Sequence, residues 1–203
     1  MNLLKQHVRF GLHCERLLGL VTLGLQHRAA DPSLYECCIT TAIIRLHDQW
    51  AAKCRHIILL SAYGRSNRRC GVRLARASSI ASGETPLDVL RRTWSPRRAM
   101  PKSWEPHWYD PKDAIRAASL LGLANEPEIT TALSAGTTPE ILRIVRNAVA
   151  HTLPHTLIAF RSRAGLTVRD PLEYAVSINV TNSQLYISQW VDDLKSMLWS
   201  ALA

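Results

Sequence analysis

The run Ile39-Thr40-Thr41-Ala42-Ile43-Ile44-Arg45-Leu46 decides how the chain is read. Ile39, Thr40, Thr41, Ile43 and Ile44 are β-branched, and such side chains lose rotamer freedom in a helix and suit a strand. Against that, the apolar spacing continues through Trp50, Ile57, Ile58 and Leu60 without a turn signal. A helical period sustained that long outweighs a local strand preference. The run is therefore the middle of a helix from Leu34 to about Ala62, stopped by Gly64. Ser33 with Glu36 three residues on, behind Pro32, forms a capping-box pattern at its start.

Upstream, residues 2 to 28 carry Leu3, Leu4, Val8, Leu12, Leu17, Leu18, Val21 and Leu25 at roughly helical spacing. Gly11, Gly19 and Gly24 each cost this helix about 1 kcal/mol relative to Ala. Two long helices joined by the short polar link Asp31-Pro32-Ser33 make an antiparallel hairpin, and the expected fold class is an all-α bundle built on it.

Downstream, Thr85-Pro86 opens a short helix from Leu87 to about Trp94. Asp110-Pro111 caps a helix from Lys112 to Leu121, ended by Gly122, and a further short helix spans Asn125 to about Ser134. Thr137-Thr138-Pro139-Glu140 combines a hydroxyl cap, a first-turn proline and an acid. The helix it starts has Ile141, Leu142, Val145, Ala148 and Val149 as its apolar stripe. His155 to Arg163 reads as helical, ended by Gly165. Leu166 to Val180 is ambiguous between helix and strand, and the alternation from Tyr174 to Val180 is compatible with extended structure. Asn182 or Ser183 caps a last amphipathic helix from Gln184 to Leu202. The whole is one domain, residues 1–203, with an insertion at about 65–109.

The chain is 47% hydrophobic, enough for a core and too much for disorder. No window approaches the ~18 uninterrupted apolar residues of a membrane span, and the start lacks the small-residue cleavage site of a secretory leader. Cys14, Cys37, Cys38, Cys54 and Cys70 include no Cys-x-x-Cys pair, and reduced thiols in a cytosolic core fit them better than disulfides or zinc. A cytoplasmic protein without membrane contact is expected.

The net charge is +9, and Lys5, Lys53, Lys102, Lys112 and Lys195 are the only lysines among 25 cations. The rest are Arg, whose planar fork suits phosphate. Most of the excess lies in residues 65 to 102, where Arg65, Arg68, Arg69, Arg73, Arg76, Arg91, Arg92, Arg97, Arg98 and Lys102 face only Glu84 and Asp88. This segment is the expected phosphate-contacting surface, with Arg65, Arg68, Arg69, Arg73, Arg97 and Arg98 as RNA-binding candidates. A solvated loop without a ligand fits it as well. Beyond it, Trp104, Trp108 and Tyr109 either stack bases or pin a loop to the core, the second being the commoner use of such a cluster.

The chemistry centres on Arg143-Ile144-Val145-Arg146-Asn147-Ala148-Val149-Ala150-His151. At about 100° per residue, Asn147 and His151 share one helix face, and Arg146 is long enough to bend over the same groove. Pro154 clashes with the carbonyl four residues back and ends the helix near His151. The imidazole then sits at the negative end of the helix dipole, which favours its protonated form. A guanidinium, an amide and an imidazole suit a phosphodiester: Arg for developing negative charge, His for proton transfer. With RNA the substrate's own 2′-hydroxyl can serve as the nucleophile, so the protein need not supply one.

Arg146-Asn147-Ala148-Val149-Ala150-His151 resembles the R-x(4–6)-H signature of the HEPN superfamily, including the polar residue that commonly follows its Arg. The long hairpin, the late motif helix and the closing helix also resemble that family. Trp104 to Gly122, Thr137 to His151 and Trp190-Val191-Asp192-Asp193-Leu194 look most like its RiboL-PSP type. The resemblance implies a HEPN-like bundle that dimerises and brings two motifs together across a shared cleft. It implies a metal-independent endoribonuclease, of the toxin or antiviral-defence type, that leaves a 2′,3′-cyclic phosphate and uses no cofactor. RNA and a second copy are the implied partners, with an antitoxin as a further one. Arg146 and His151 would be catalytic and Asn147 would orient them. Asp48, in His47-Asp48-Gln49-Trp50, is the candidate for the acidic residue many such proteins carry on an earlier helix. The long basic segment, Pro154 and His155 depart from the family pattern. A non-catalytic HEPN-like dimerisation module, or an RNA-binding protein without an active site, fits the same residues.

Overall fold

A computed structural model of the chain describes residues 3–64, 73–95, 97–164 and 170–202, with the side chains of 163 and 164 left out. Among these residues the fold is all-α: nine helices and one two-stranded ribbon. The helices are α1 (Leu3–His27), α2 (Pro32–Ala62), α3 (Pro86–Thr93), α4 (Pro111–Leu121), α5 (Glu126–Ser134), α6 (Thr138–His151), α7 (Pro154–Ala164), α8 (Pro171–Val176) and α9 (Tyr186–Ser200). None of those described is long and apolar enough to cross a membrane.

The packing divides the chain into two compact units. Unit 1 comprises Met1–Arg9, Trp50–Gly136 and Ser196–Ala203; unit 2 comprises Phe10–Gln49 and Thr137–Lys195. α1, α2 and α9 each contribute residues to both, so neither unit is a single segment of sequence, and the stretch read as an insertion lies wholly in unit 1.

α2 is helical through its β-branched run because the run is buried. Ile39, Ile43 and Leu46 are fully enclosed, and the burial of three large aliphatic side chains, about 1.5–3 kcal/mol each, exceeds the few tenths that separate Ile from Leu in helix propensity. The helix begins earlier than the capping-box reading places it. Asp31 Oδ1 accepts from the Leu34 amide at 2.9 Å, so Asp31 is the cap, Pro32 takes the first helical position and Ser33 lies inside the first turn. α2 ends before Gly64, whose φ of +62 and whose surroundings both require glycine: a Cβ there would stand 2.6 Å from the Arg76 backbone nitrogen. Gly24 on α1 serves a close approach, since a Cβ would meet that of Cys38 on α2 at 2.9 Å.

In unit 1, Thr85 and Asp88 form a reciprocal capping box on α3. Asp110 caps α4 through the Lys112 amide, and Gly122, with φ +60, ends it. The 103–110 loop is pinned to α2: Trp50 Nε1 donates to the Tyr109 carbonyl at 3.2 Å. Arg55 holds Glu105 at 2.7 and 3.0 Å, and Trp108 Nε1 donates to the same carboxylate. Trp108 and Tyr109 therefore anchor the loop.

In unit 2, Tyr174 on α8 is the centre of an aromatic cluster with Phe160, Tyr186 and Trp190. Glu173 beside it accepts from the Tyr35 hydroxyl and from Arg28. The ambiguity at Tyr174 is resolved as helix, because Asp170 caps a short helix through Val176. Extended chain starts only at Ile178, where Ile178 pairs with Leu185 and Asn179 with Gln184. Asn182 Oδ1 accepts from the Gln184 amide inside that ribbon, so it holds the turn, and α9 begins two residues later than expected. Cys14, Cys38 and Cys54 are free and buried, Cys37 is free and exposed, and Cys70 lies outside the described residues. Burial pushes the Cys14 thiol up to about 12 and that of Cys54 higher still, so these two are inert packing groups.

Candidate active site on α6

α6 buries Thr138, Pro139, Leu142, Val145 and Ala148 along one stripe and packs against α7 and α8. The expected hydroxyl cap is not made, as Thr137 forms no side-chain cap hydrogen bond. The Thr138 hydroxyl instead donates to Asp193 Oδ2 on α9 at 2.6 Å. The helix is thus located by packing and by this tie.

At its other end, the position Pro154 imposes is observed: α6 stops at His151 and α7 starts at Pro154. Thr152 turns the chain with φ 41 and ψ 24, its amide donating to the Ala148 carbonyl at 3.2 Å. A β-branched residue in this left-handed region is strained by about 1–2 kcal/mol. Thr152→Gly is therefore expected to raise the melting temperature by about 2–4 °C, which differential scanning calorimetry would register. An unchanged or lower value would mean that the turn is not strained. Because the helix ends here, His155 falls on α7, exposed and off the α6 face.

The structure brings Arg146, Asn147 and His151 together. Arg146 Nη1 donates to Asn147 Oδ1 at 3.2 Å and contacts His151 Nε2 at 3.2 Å. A guanidinium only donates, so Nε2 stands as the acceptor in this contact. Arg146 and Asn147 are half-buried and His151 is exposed. Arg146 Nε is enclosed and has no hydrogen-bond partner among the described residues.

Asp48 does not join this group. Its side chain is 52% exposed, and its Oδ1 lies 3.6 Å from His47 Nδ1. His47 is the buried one of the pair. Burial lowers its pKa below the ordinary 6.5; Asp48 acts the other way, and the charges of Arg146 and Arg143 add to the lowering. α2 therefore presents His47, which the sequence reading passed over, to the field of the motif arginine. The signal was present in helix phase, since His47 lies four residues after the buried Ile43. The depressed pKa has a consequence for stability. An unfolded His47 takes up a proton near pH 6.5, whereas the folded one resists until lower pH, so its contribution is present above that value and lost as pH falls through the folded pKa. Urea midpoints of wild type and His47→Gln measured between pH 7.5 and 5 are expected to converge as the pH drops. Parallel curves would show that His47 titrates as it does in water.

Of the RNA-binding candidates, Arg65, Arg68 and Arg69 lie outside the described residues. Arg73 Nε donates to the Gly64 carbonyl at 3.0 Å, and Arg97 and Arg98 are exposed. These three belong to unit 1, whereas Arg146, Asn147, His151 and Asp48 belong to unit 2.

No family model, curated protein or solved structure was found to match this chain.

Proposed function

We propose that the chain is a metal-independent endoribonuclease that acts as a homodimer, of the toxin or antiviral-defence type. The observation that carries the reading is the Arg146–His151 contact: an exposed imidazole held with Nε2 as acceptor by a guanidinium on the same helix. Nε2 has one lone pair, and it becomes a general base for a 2′-hydroxyl when the guanidinium turns from it to the scissile phosphate. That oxygen attacks phosphorus, the bond to the 5′-oxygen breaks, and the products are a 2′,3′-cyclic phosphate and a 5′-hydroxyl. Arg146 stabilises the charge on the pentacoordinate phosphorus, where a fixed cation is worth more than in the ground state. Asn147 Oδ1 holds Nη1 in place. The leaving 5′-oxygen needs a proton from a second group, and the His151 of a second copy supplies it in a composite site.

Purified protein is expected to cut single-stranded RNA in the presence of EDTA and to leave 2′,3′-cyclic ends that resist a ligase until they are opened. Activity per protomer should fall on dilution below the dimer dissociation constant. Cleavage that disappears with EDTA, or products with 3′-hydroxyl ends, would overturn the reading. Full-length protein that dimerises and never cuts would favour the non-catalytic interaction module.

A further inference from the structure

Three helix cations of unit 1, Arg91, Arg92 and Arg55, are engaged. Arg91 donates to the Trp104 carbonyl at 3.2 Å and pairs with Asp88. Arg92 pairs with Glu84 at 3.0 Å. Arg55 is held by Glu105. The cations of the loop after α3 are not: Arg97, Arg98 and Lys102 are exposed and make no ion pair among the described residues.

This loop is held by its ends. Trp94 closes α3 through its amide to the Leu90 carbonyl, the Met100 amide returns to the Arg91 carbonyl at 2.9 Å, and the Trp104 amide reaches Pro101. Its two tryptophans meet, ring centroids 5.0 Å apart and tilted by 54°. Arg116, exposed on α4, donates to the Trp94 carbonyl and lays its guanidinium 4.5 Å above the Trp94 ring. Both tryptophans are half-buried, unlike Trp50 and Trp108. A fixed aromatic pair continued by a flat cation thus flanks three cations with no ion pair among the described residues.

We infer that Trp94, Trp104 and Arg116, with Arg97, Arg98 and Lys102, form a binding surface for single-stranded RNA. Phosphates are neutralised by the loop cations, and an unstacked base continues the stack on the outer face of Arg116 or on the open part of Trp104. A duplex offers the same phosphates but keeps its bases stacked inside, so it engages only half of this surface. An acidic protein or a lipid headgroup likewise satisfies the charge and leaves the aromatic–guanidinium stack without a role. The inference rests on the reading of RNA as the ligand, and it is independent of cleavage on α6.

The test uses full-length His151→Ala protein, so that no substrate is lost, and a fluorescein-labelled 12-nucleotide oligouridine followed by anisotropy between 50 and 200 mM salt. Replacing Arg97, Arg98 and Lys102 together by Gln is expected to weaken binding at least about 10-fold and to flatten the salt slope by about 2, at roughly 0.7 per phosphate on a single strand. Arg116→Gln and Trp104→Leu should each weaken it by about 5- to 50-fold with the salt slope little changed. If Trp104→Leu fails to fold, Arg116→Gln decides alone. Equal affinity for a 12-base-pair duplex or for vesicles of anionic lipid would overturn the inference, as would undiminished binding by the Gln variants. Tight binding that responds to these changes, in a wild type that never cuts RNA, would uphold this surface and sink the nuclease reading. Cleavage by a wild type whose Gln variants bind unchanged would do the reverse.

Discussion

Arg146→Ala and His151→Ala are each expected to lower the rate of RNA cleavage by about 10²–10⁴-fold while leaving the fold intact. The size follows from the two roles. A positioned general base or acid contributes about 10²–10⁴, and one preorganised charge on a transition state about 10²–10³. The fold should survive because neither side chain belongs to the buried stripe of α6: His151 is exposed, and Arg146 is half-buried with an enclosed Nε that has no hydrogen-bond partner among the described residues. Losing that group removes no internal hydrogen bond from Nε. Arg146→Lys separates charge from geometry, because the single Nη1 that meets both Asn147 and His151 is fixed in the guanidinium plane and an ammonium has no such plane. It should recover only part of the activity. Initial rates on a defined single-stranded substrate, read beside thermal melts of each variant, check all three. Full activity in His151→Ala would remove the imidazole from the chemistry. A variant that loses activity and several degrees of stability together would assign the cluster a structural role. Asn147→Ala should cost less than either, since the one side-chain hydrogen bond of Asn147 among the described residues is to the guanidinium.

What the sequence allowed to be read, and what it hid, follows from the range of the forces involved. α2 was legible because its apolar period is sustained over eight turns, which outweighs the local strand preference of Ile39 to Ile44. Gly64 and Gly122 were legible as stops because left-handed backbone is nearly a private property of glycine. Thr152 was not, because a threonine enters that region only when the next helix, here one beginning at Pro154, compels it. The cap of α2 was misplaced by two residues although the rule that fixes it worked at Asp110-Pro111. A proline fits the first helical position, so the cap is the residue before it, and Asp31-Pro32 repeats the pattern. Tyr174 to Val180 was ambiguous because a helix as short as α8 has too few turns to show a period, and its residues are fixed by the aromatic cluster around Tyr174. On the site, spacing alone placed Asn147 and His151 on one face. It did not resolve His47 from Asp48. Adjacent residues differ by about 100° on a helix, and only the buried neighbours Ile43 and Leu46 show which of the two points inward.

Trp50→Ala is expected to cost about 3–5 kcal/mol, the largest stability effect of any single change considered for unit 1. Trp50 is fully enclosed, and removing a buried indole forfeits its transfer free energy and leaves a cavity that the neighbours fill only in part. A domain is stable by about 5–15 kcal/mol in total, so this one change threatens folding at physiological temperature. The ring has a second task, since Nε1 donates to the Tyr109 carbonyl. Trp50→Phe keeps most of the bulk and removes the indole hydrogen bond to that carbonyl, at an expected cost of about 0.5–1.5 kcal/mol. Urea unfolding of both variants separates the two contributions. If Phe costs nothing measurable, the 103–110 loop is held instead by the Arg55–Glu105–Trp108 group. That group is strong on its own terms: Arg55, through two hydrogen bonds, is the main cause of a Glu105 pKa well below the usual carboxylate range, and the indole of Trp108 assists. Its contribution is present above the ordinary pKa of Glu, about 4.3, and fades as pH falls through the depressed folded value. The gap between Trp50→Phe and wild type should therefore hold steady from pH 8 to 5, where the carboxylate stays charged. A gap that widens across that range would show that the loop depends on a titrating group other than Glu105.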